Sequence, residues 1–284
     1  MDKREALRAI AAEASRGELV FPTFMEVGSR IQQALDDPDT PLDVAARLIQ
    51  AEPLLSARIV AVANSAAFNS SGRAITDVRL AVSRLGARTV RALSTAVIAR
   101  QLAGKPSQPA LRDLAARLWE HTANVGALAN VIARRVTRQD PETAMFAGMV
   151  HEVGGFYLLS RIQQFPALKD QEVTDWMVEG QGEGEVEIGR AVLKALAVPE
   201  AAIAAVEAMW EGYLSFPPAT LGDTLLLAEH LSPVHSPLHH LQKADAATAS
   251  IDSALDMDIE EETLTGILRE SAEELSSLTA ALRF

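Results

Sequence analysis

Three residues in this chain could begin a metal site: His121, His151 and the adjacent Glu152. The pair His151-Glu152 interrupts the apolar, glycine-containing run Met149-Val150-His151-Glu152-Val153-Gly154-Gly155, which Phe146 precedes and Phe156-Tyr157-Leu158-Leu159 follows. A polar pair in such surroundings must be hydrogen-bonded, bound to a metal, or costly to bury. Histidines and carboxylates turned inward from two or more helices can hold a divalent ion that activates water, as in metal-dependent phosphohydrolases. The same side chains also suit plain hydrogen bonding between helices. Two histidines and one acid do not decide between these.

Composition narrows the field. The 284 residues are 48% apolar and 23% charged, the balance of a globular protein long enough to bury a core. A net charge of −12 argues against a chain whose main work is gripping nucleic-acid backbone. The absence of cysteine removes disulfide scaffolds, thiolate metal sites and cysteine nucleophiles together. The charged start, Met1-Asp2-Lys3-Arg4-Glu5, does not resemble a signal peptide, and no apolar run reaches the roughly 18 residues of a membrane span. The expectation is a cytoplasmic, bacterial protein with no membrane partner.

The elements that must position the histidines are helices, because apolar residues recur at helical spacing and no period-2 strand is evident. Leu7, Ile10, Ala11 and Ala14 share one face before Gly17 ends the first helix. Thr23 to Glu26 reads as a capping box, and Thr40-Pro41 as a cap followed by a first-turn proline. A short buried helix spans Leu54 to Ala63 and ends at Asn64-Ser65. Thr76 is expected to cap the next helix, with Ile75 and Leu80 as a hydrophobic staple, and Leu85-Gly86 to interrupt it. Gly104 to Pro109 is the clearest linker and divides two helical halves. A long helix from about Leu111 to Val136 carries His121, and Asp140-Pro141-Glu142 begins the helix leading to His151. Further helices are expected near 185–197, 200–210 and 221–231, then a loop over 232–240 and an acidic amphipathic tail from about Asp245.

Several other patterns have plainer explanations. Asp77 to Leu93, broken at Gly86 and carrying Arg84, Arg88 and Arg91, has the outline of a helix-turn-helix, but the acidic balance favours a packed helical pair. His235, His239 and His240 lack regular ligand spacing and suit a loop. Glu179, Glu183, Glu185 and Glu187 read as a solvated run, or less simply as a face for a basic partner. Asn64 and Ser65 are read first as helix caps and second as an interaction segment.

Taken together, EPLLSARIVAVANSAAF (52–68), ITDVRLAVSRLGARTVRAL (75–93), Leu118-Trp119-Glu120-His121 and Phe146 to Gly154 resemble the HDOD domain, the HD-related output domain of bacterial signalling proteins. The resemblance runs in order over residues 18–215. It implies an all-α, two-lobed fold, with an N-terminal helical lobe (18–108) and a lobe like HD-type phosphohydrolases (109–231), followed here by a C-terminal extension (232–284). It also implies a non-catalytic module that contacts other signalling proteins.

Measured against the HD-hydrolase pattern, His121 and His151 match the first two histidines. Glu152 stands where an aspartate is usual, Glu185 near the next histidine, Met209-Trp210 in place of a histidine pair, and Glu229 for the late aspartate. A thioether and an indole cannot replace imidazoles on a hard ion. The expectation is therefore a vestigial site with no metal and no cofactor, in which His151 and Glu152 are hydrogen-bonded between helices. The alternatives are a phosphohydrolase using His121, His151, Glu152, Glu185 and Glu229, or a non-catalytic sensor of a cyclic dinucleotide. Nucleic acid is an improbable partner.

Overall fold

Proline, glycine and short polar caps cut the periodic chain into helices. The computed structural model describes residues 3–19, 26–37, 40–104, 108–162, 164–165, 183–238, 258–259 and 262–283, without the side chains at 3–4, 26–29, 54, 183–185, 258–259 and 262. The Thr23–Glu26 box, the 179–185 acidic side chains, His239 and His240 lie outside the described residues. The helices are α1 (Lys3–Ser15), α2 (Glu26–Asp36), α3 (Leu42–Gln50), α4 (Pro53–Asn64), α5 (Val78–Leu102) and α6 (Pro109–Ile132), which continues into a π-helical turn (Ala133–Thr137). They continue as α7 (Pro141–Val150), α8 (Val153–Arg161), α9 (Glu183–Ala195), α10 (Glu200–Glu211) and α11 (Leu221–His230). A minimal antiparallel hairpin, Asp258–Ile259 with Glu262–Thr263, precedes α12 (Leu264–Glu270) and α13 (Ala272–Leu282). The fold is all-α.

Helix starts follow the sequence punctuation closely. Pro53, Pro109 and Pro141 each occupy the first helical turn, where a missing N–H costs nothing. Asp140 caps α7 through the Thr143 N–H at 2.7 Å. Two expected caps shift. Asp77, not Thr76, caps α5, accepting from the Arg79 and Leu80 amides at 2.8 and 3.1 Å. That one-residue shift dissolves the staple: Leu80 is 60% exposed while Ile75 is buried. Helix α3 starts at Leu42, so Pro41 takes the cap position and the Thr40 hydroxyl donates to Asp37 instead.

Gly86 breaks α5 at φ 76°, ψ 166°, a conformation glycine reaches at little cost. Each flank buries one face, through Ala81, Val82 and Leu85 before the break and Thr89, Val90 and Leu93 after it, and the arginines are engaged within the chain: Arg84 with the Ala63 and Arg73 carbonyls, Arg88 with Asp140, Arg91 with Asp36. The 77–93 segment is a packed helical pair.

The lobes on either side of 104–109 share one core. Buried apolar residues from Ala6 to Leu282 form a single contiguous cluster. Helix α1 packs on α9, α5 packs on α7 and α8, and Gln32 bridges Thr95 and the Leu196 carbonyl at 2.7 and 3.1 Å. The C-terminal extension closes the arrangement, with α13 packed on both α4 and α6. No helix among the described residues is long and apolar enough to cross a membrane.

Candidate metal centre

Three elements of the second lobe supply the centre. His121 lies in the middle of α6, His151 caps the C-terminus of α7, and Glu229 sits in the last turn of α11. Helices α6 and α7 approach closely because glycine faces glycine. A Cβ on Gly148 would come within 2.9 Å of the Gly126 Cα and N, which are backbone atoms that cannot turn aside. This contact, five residues past His121 and three before His151, brings the two imidazoles together with ring centroids 5.2 Å apart.

Each imidazole has one nitrogen committed. His121 Nδ1 lies 2.7 Å from the Val234 carbonyl and His151 Nδ1 lies 2.7 Å from the Gly148 carbonyl. A carbonyl only accepts, so both Nδ1 atoms carry a proton and Nε2 is the ring nitrogen that each imidazole turns toward the centre. Those two Nε2 atoms are 3.2 Å apart. Glu229 Oε2 completes a triangle with them, 3.1 Å from His121 Nε2 and 3.3 Å from His151 Nε2. Glu229 Oε2 is buried and, despite these distances, has no well-aligned hydrogen bond.

The surroundings favour positive charge at the triangle. Burial works against the charged form of His121, but the Glu229 carboxylate, with Glu152 and the Val234 carbonyl, outweighs it and raises the imidazole above its ordinary range. Burial likewise pushes Glu229 up, yet His121 and His151 hold it well below the usual carboxylate range. Glu229 also sits at a helix C-terminus, where the backbone dipole disfavours an anion unless a cation is near.

The residues fit a divalent ion. Three ligand atoms converge with a buried oxygen left without an aligned partner, and both imidazoles are oriented by main-chain carbonyls, the usual outer-shell arrangement for metal-bound histidine. Bonds of about 2.0–2.1 Å around a tetrahedral ion separate its ligands by about 3.3–3.4 Å, close to the edges found here. His121, His151 and Glu229 would hold the ion, which would supply a fixed positive charge and Lewis acidity.

The other expected site residues are distributed differently. Glu152 reaches His151 only at the limit of an ion pair: its Oε1 is 4.0 Å from His151 Nε2, while the ring bonds to Gly148 and faces His121 and Glu229 more closely. Adjacent residues on a helical turn diverge by about 100°, so the two side chains cannot share one direction. Glu152 is nevertheless buried, at 3% exposure, and contributes its charge from alongside. The Glu185 side chain lies outside the described residues. Met209 is in the core, and the Trp210 indole covers Gly189 of α9, where a Cβ would come within 2.9 Å of the ring. Asn64 spends its amide on the loop that follows, accepting from the Ile75 N–H and donating to the Ile75 carbonyl at 2.7 and 2.6 Å, while Ser65 bonds to Val62.

Two features left no residue-type signal. One is the Val234 carbonyl, a backbone group. The other is the clamp beside His121, where Arg58 and Arg100 stack on Trp119 at 5.0 and 5.1 Å. Arg58 and the Trp119 Nε1–H both donate to the Leu282 carbonyl of α13, and burial, then Arg100, lowers the Arg58 guanidinium to about 9.

An all-helical scaffold with such a centre in its second lobe has the HD-like fold. The HDOD domain family profile matches residues 21–211, and the chain belongs to that family. Its fold is similar over 99% of both chains to a Shewanella amazonensis SB2B protein provisionally named a metal-dependent phosphohydrolase, at 22% identity and TM-score 0.77. It is also similar to an HDOD domain protein of unknown function from Geobacter sulfurreducens, at 23% identity and TM-score 0.60, covering 98% of this chain and 97% of that one. A Marinobacter aquaeolei VT8 protein provisionally named a signal transduction protein aligns with all of this chain and 67% of its own, at 18% identity and TM-score 0.58. No curated protein matches the chain.

Proposed function

We propose that this chain is a non-catalytic, cytoplasmic signalling regulator that acts by binding another signalling protein. The observation that carries the reading is the enclosure of the centre. His121 and His151 are 0% and 3% exposed, and each ring is tied to a main-chain carbonyl, that of Val234 and that of Gly148. A phosphoester substrate needs open coordination positions and room beside them. Here the approach lies along the Glu229 side chain, which is 29% exposed.

The surface best suited to a partner lies where the lobes meet. A cleft of about 370 Å³ runs between α5, α7 and α10, floored by Leu35, Ala92 and Phe146 and rimmed by Arg88 and Arg91. It opens beside the Gly86 break, so Ala92 of its floor and both arginines of its rim come from the helix after that break, while Leu35 and Phe146 complete the floor from α2 and α7.

Affinity capture from the native cell with the intact chain and with Ala87→Glu, an exposed cleft position, tests the reading. The expected result is a reproducible partner whose recovery falls at least about tenfold with Ala87→Glu, a loss of roughly 1.4 kcal/mol. Metal-dependent phosphoester turnover by the purified protein, abolished by Glu229→Gln, would replace this reading with a hydrolase of altered ligand set.

A further inference from the structure

We propose that the pocket between the end of α5 and the start of α6 binds the phosphate group of a small molecule, held by Arg100 and Arg112. None of its lining residues belongs to the triangle of His121, His151 and Glu229 or to the cleft between α5, α7 and α10, and it does not depend on the interaction reading.

The junction of the two helices makes this pocket. Arg100 lies in the last turn of α5, Gly104 follows at φ 67°, and α6 begins at Pro109 with Arg112 one turn in. Arginines from successive helices thus line one pocket of about 390 Å³. Its remaining wall is apolar, from Ala103, Ala115, Ala116 and Phe156. Phe156 is buried and set edge-on to Trp119, with ring centroids 6.3 Å apart, so this wall is fixed before any ligand arrives.

Charge decides what the pocket takes. The chain carries −12 overall, yet guanidinium groups collect here. Arg58 and Arg100 both lie against Trp119, 5.0 and 5.1 Å from its ring, and Arg112 shares the pocket with Arg100. This crowding costs free energy: burial, then Arg100, lowers the Arg58 guanidinium to about 9, and burial lowers Arg100. Arg112 adds its charge near the positive end of the α6 dipole. An anion beside Arg100 and Arg112 offsets all of these repulsions together. Two lining guanidinium groups answer a dianion better than a monoanion. A phosphate monoester carries about −1.5 to −2 at pH 7, with oxygens enough for two planar forks. Size and lining set the rest of the ligand: about 390 Å³ lies at the low end for small-molecule sites, and the apolar wall suits a compact, flat body.

The test is calorimetry on the full-length chain with phenyl phosphate, inorganic phosphate and benzoate as probes. The expected result is one equivalent of phenyl phosphate per chain, inorganic phosphate competing for the same site, and benzoate at least about tenfold weaker than phenyl phosphate. Arg112→Gln, at an exposed position, should weaken phenyl phosphate at least about tenfold. Arg117→Gln, which removes another exposed α6 arginine outside the pocket, should leave binding unchanged. The absence of saturable phenyl phosphate binding overturns the site, and benzoate binding as tightly as phenyl phosphate overturns the choice of phosphate. Equal losses in the two variants would mean attraction to bulk charge and overturn the site as well. A crystal structure with phenyl phosphate decides without any substitution: its phosphate between Arg100 and Arg112 supports the proposal, and density only elsewhere refutes it.

Discussion

Replacing Asp223 with asparagine should destabilise the second lobe far more than a surface charge change does. Asp223 is 3% exposed and is the third residue of α11. Its Oδ2 accepts from the Ser215 hydroxyl, the Ala219 and Thr220 amides and the Thr220 hydroxyl at 2.5–3.0 Å, and its Oδ1 accepts from the Ser215 amide at 2.8 Å. The Thr220 hydroxyl also receives the Asp223 amide, closing a capping box. Asparagine keeps one acceptor oxygen and turns an NH2 toward groups that themselves donate. Losing the reciprocal cap costs about 1 kcal/mol, and stranding one or two buried donors adds about 1–3 kcal/mol, with the shared bonds far from additive. The sum is roughly 3 kcal/mol, or about 6–12 °C at about 2–4 °C per kcal/mol. Urea denaturation with calorimetry at several pH values is the assay. Burial pushes the Asp223 carboxyl up, but the bonds from Ser215, Ala219 and Thr220 outweigh it and leave the folded-state value depressed. A depressed carboxylate stabilises fully above its unfolded value near 3.9 and loses that contribution as pH falls through the folded value. The gap between wild type and variant should therefore be constant near neutrality and shrink below about pH 4. A loss under about 1 kcal/mol, or a gap that widens on acidification, would refute the reasoning.

Three other changes probe how the centre and its surroundings are held. Gly148→Ala places a Cβ 2.9 Å from the Gly126 backbone, and overpacking of about 1–3 kcal/mol exceeds the roughly 1 kcal/mol gained in helix propensity; thermal unfolding should show a net loss, and a gain would mean that the glycine contact does not set the α6–α7 approach. Ending the chain after Glu270 removes the fully buried Leu278 and Leu282 and strips the Leu282 carbonyl from Arg58 and Trp119. At about 1.5–3 kcal/mol per leucine plus the stranded donors, the loss approaches the whole stability of a domain. Near-UV circular dichroism should collapse, whereas Arg283→Ala, which breaks only its part-exposed contact with Glu120, should cost under about 1 kcal/mol.

What could be read from the sequence was whatever local chemistry decides. Pro53, Pro109, Asp140-Pro141 and Gly17 mark helix ends because a missing N–H, a capping carboxylate or a positive φ acts within a few residues. The caps at Asp77 and Pro41 escaped by one residue because Thr and Asp, or Thr and Pro, side by side offer competing starts that differ by less than tertiary packing does. The helix pair across Gly86 was legible for the same local reason. The role of α13 was not, since its packing on α4 and α6 joins residues more than a hundred positions apart.

The centre divides along the same line. His121 and His151 stand out because imidazoles are rare in apolar runs, and Glu229 was identified as a site position from family resemblance. Glu152 drew attention by adjacency, yet adjacency on a helical turn is what turns it away from His151. Counting missing ligands at Glu185, Met209 and Trp210 suggested that the site had been lost. The three donors that remain, His121, His151 and Glu229, nonetheless come together from three different elements. The Gly126–Gly148 contact and the Val234 and Gly148 carbonyls secure that, and none of these announces itself as a metal-site residue. Glycine within a helix reads as a weakness, and a carbonyl has no side-chain identity at all. A buried triangle of two Nε2 atoms and a carboxylate oxygen, 3.1–3.3 Å on edge, is costly to keep in a fold unless positive charge answers the carboxylate, whether a proton on an imidazole or a bound cation.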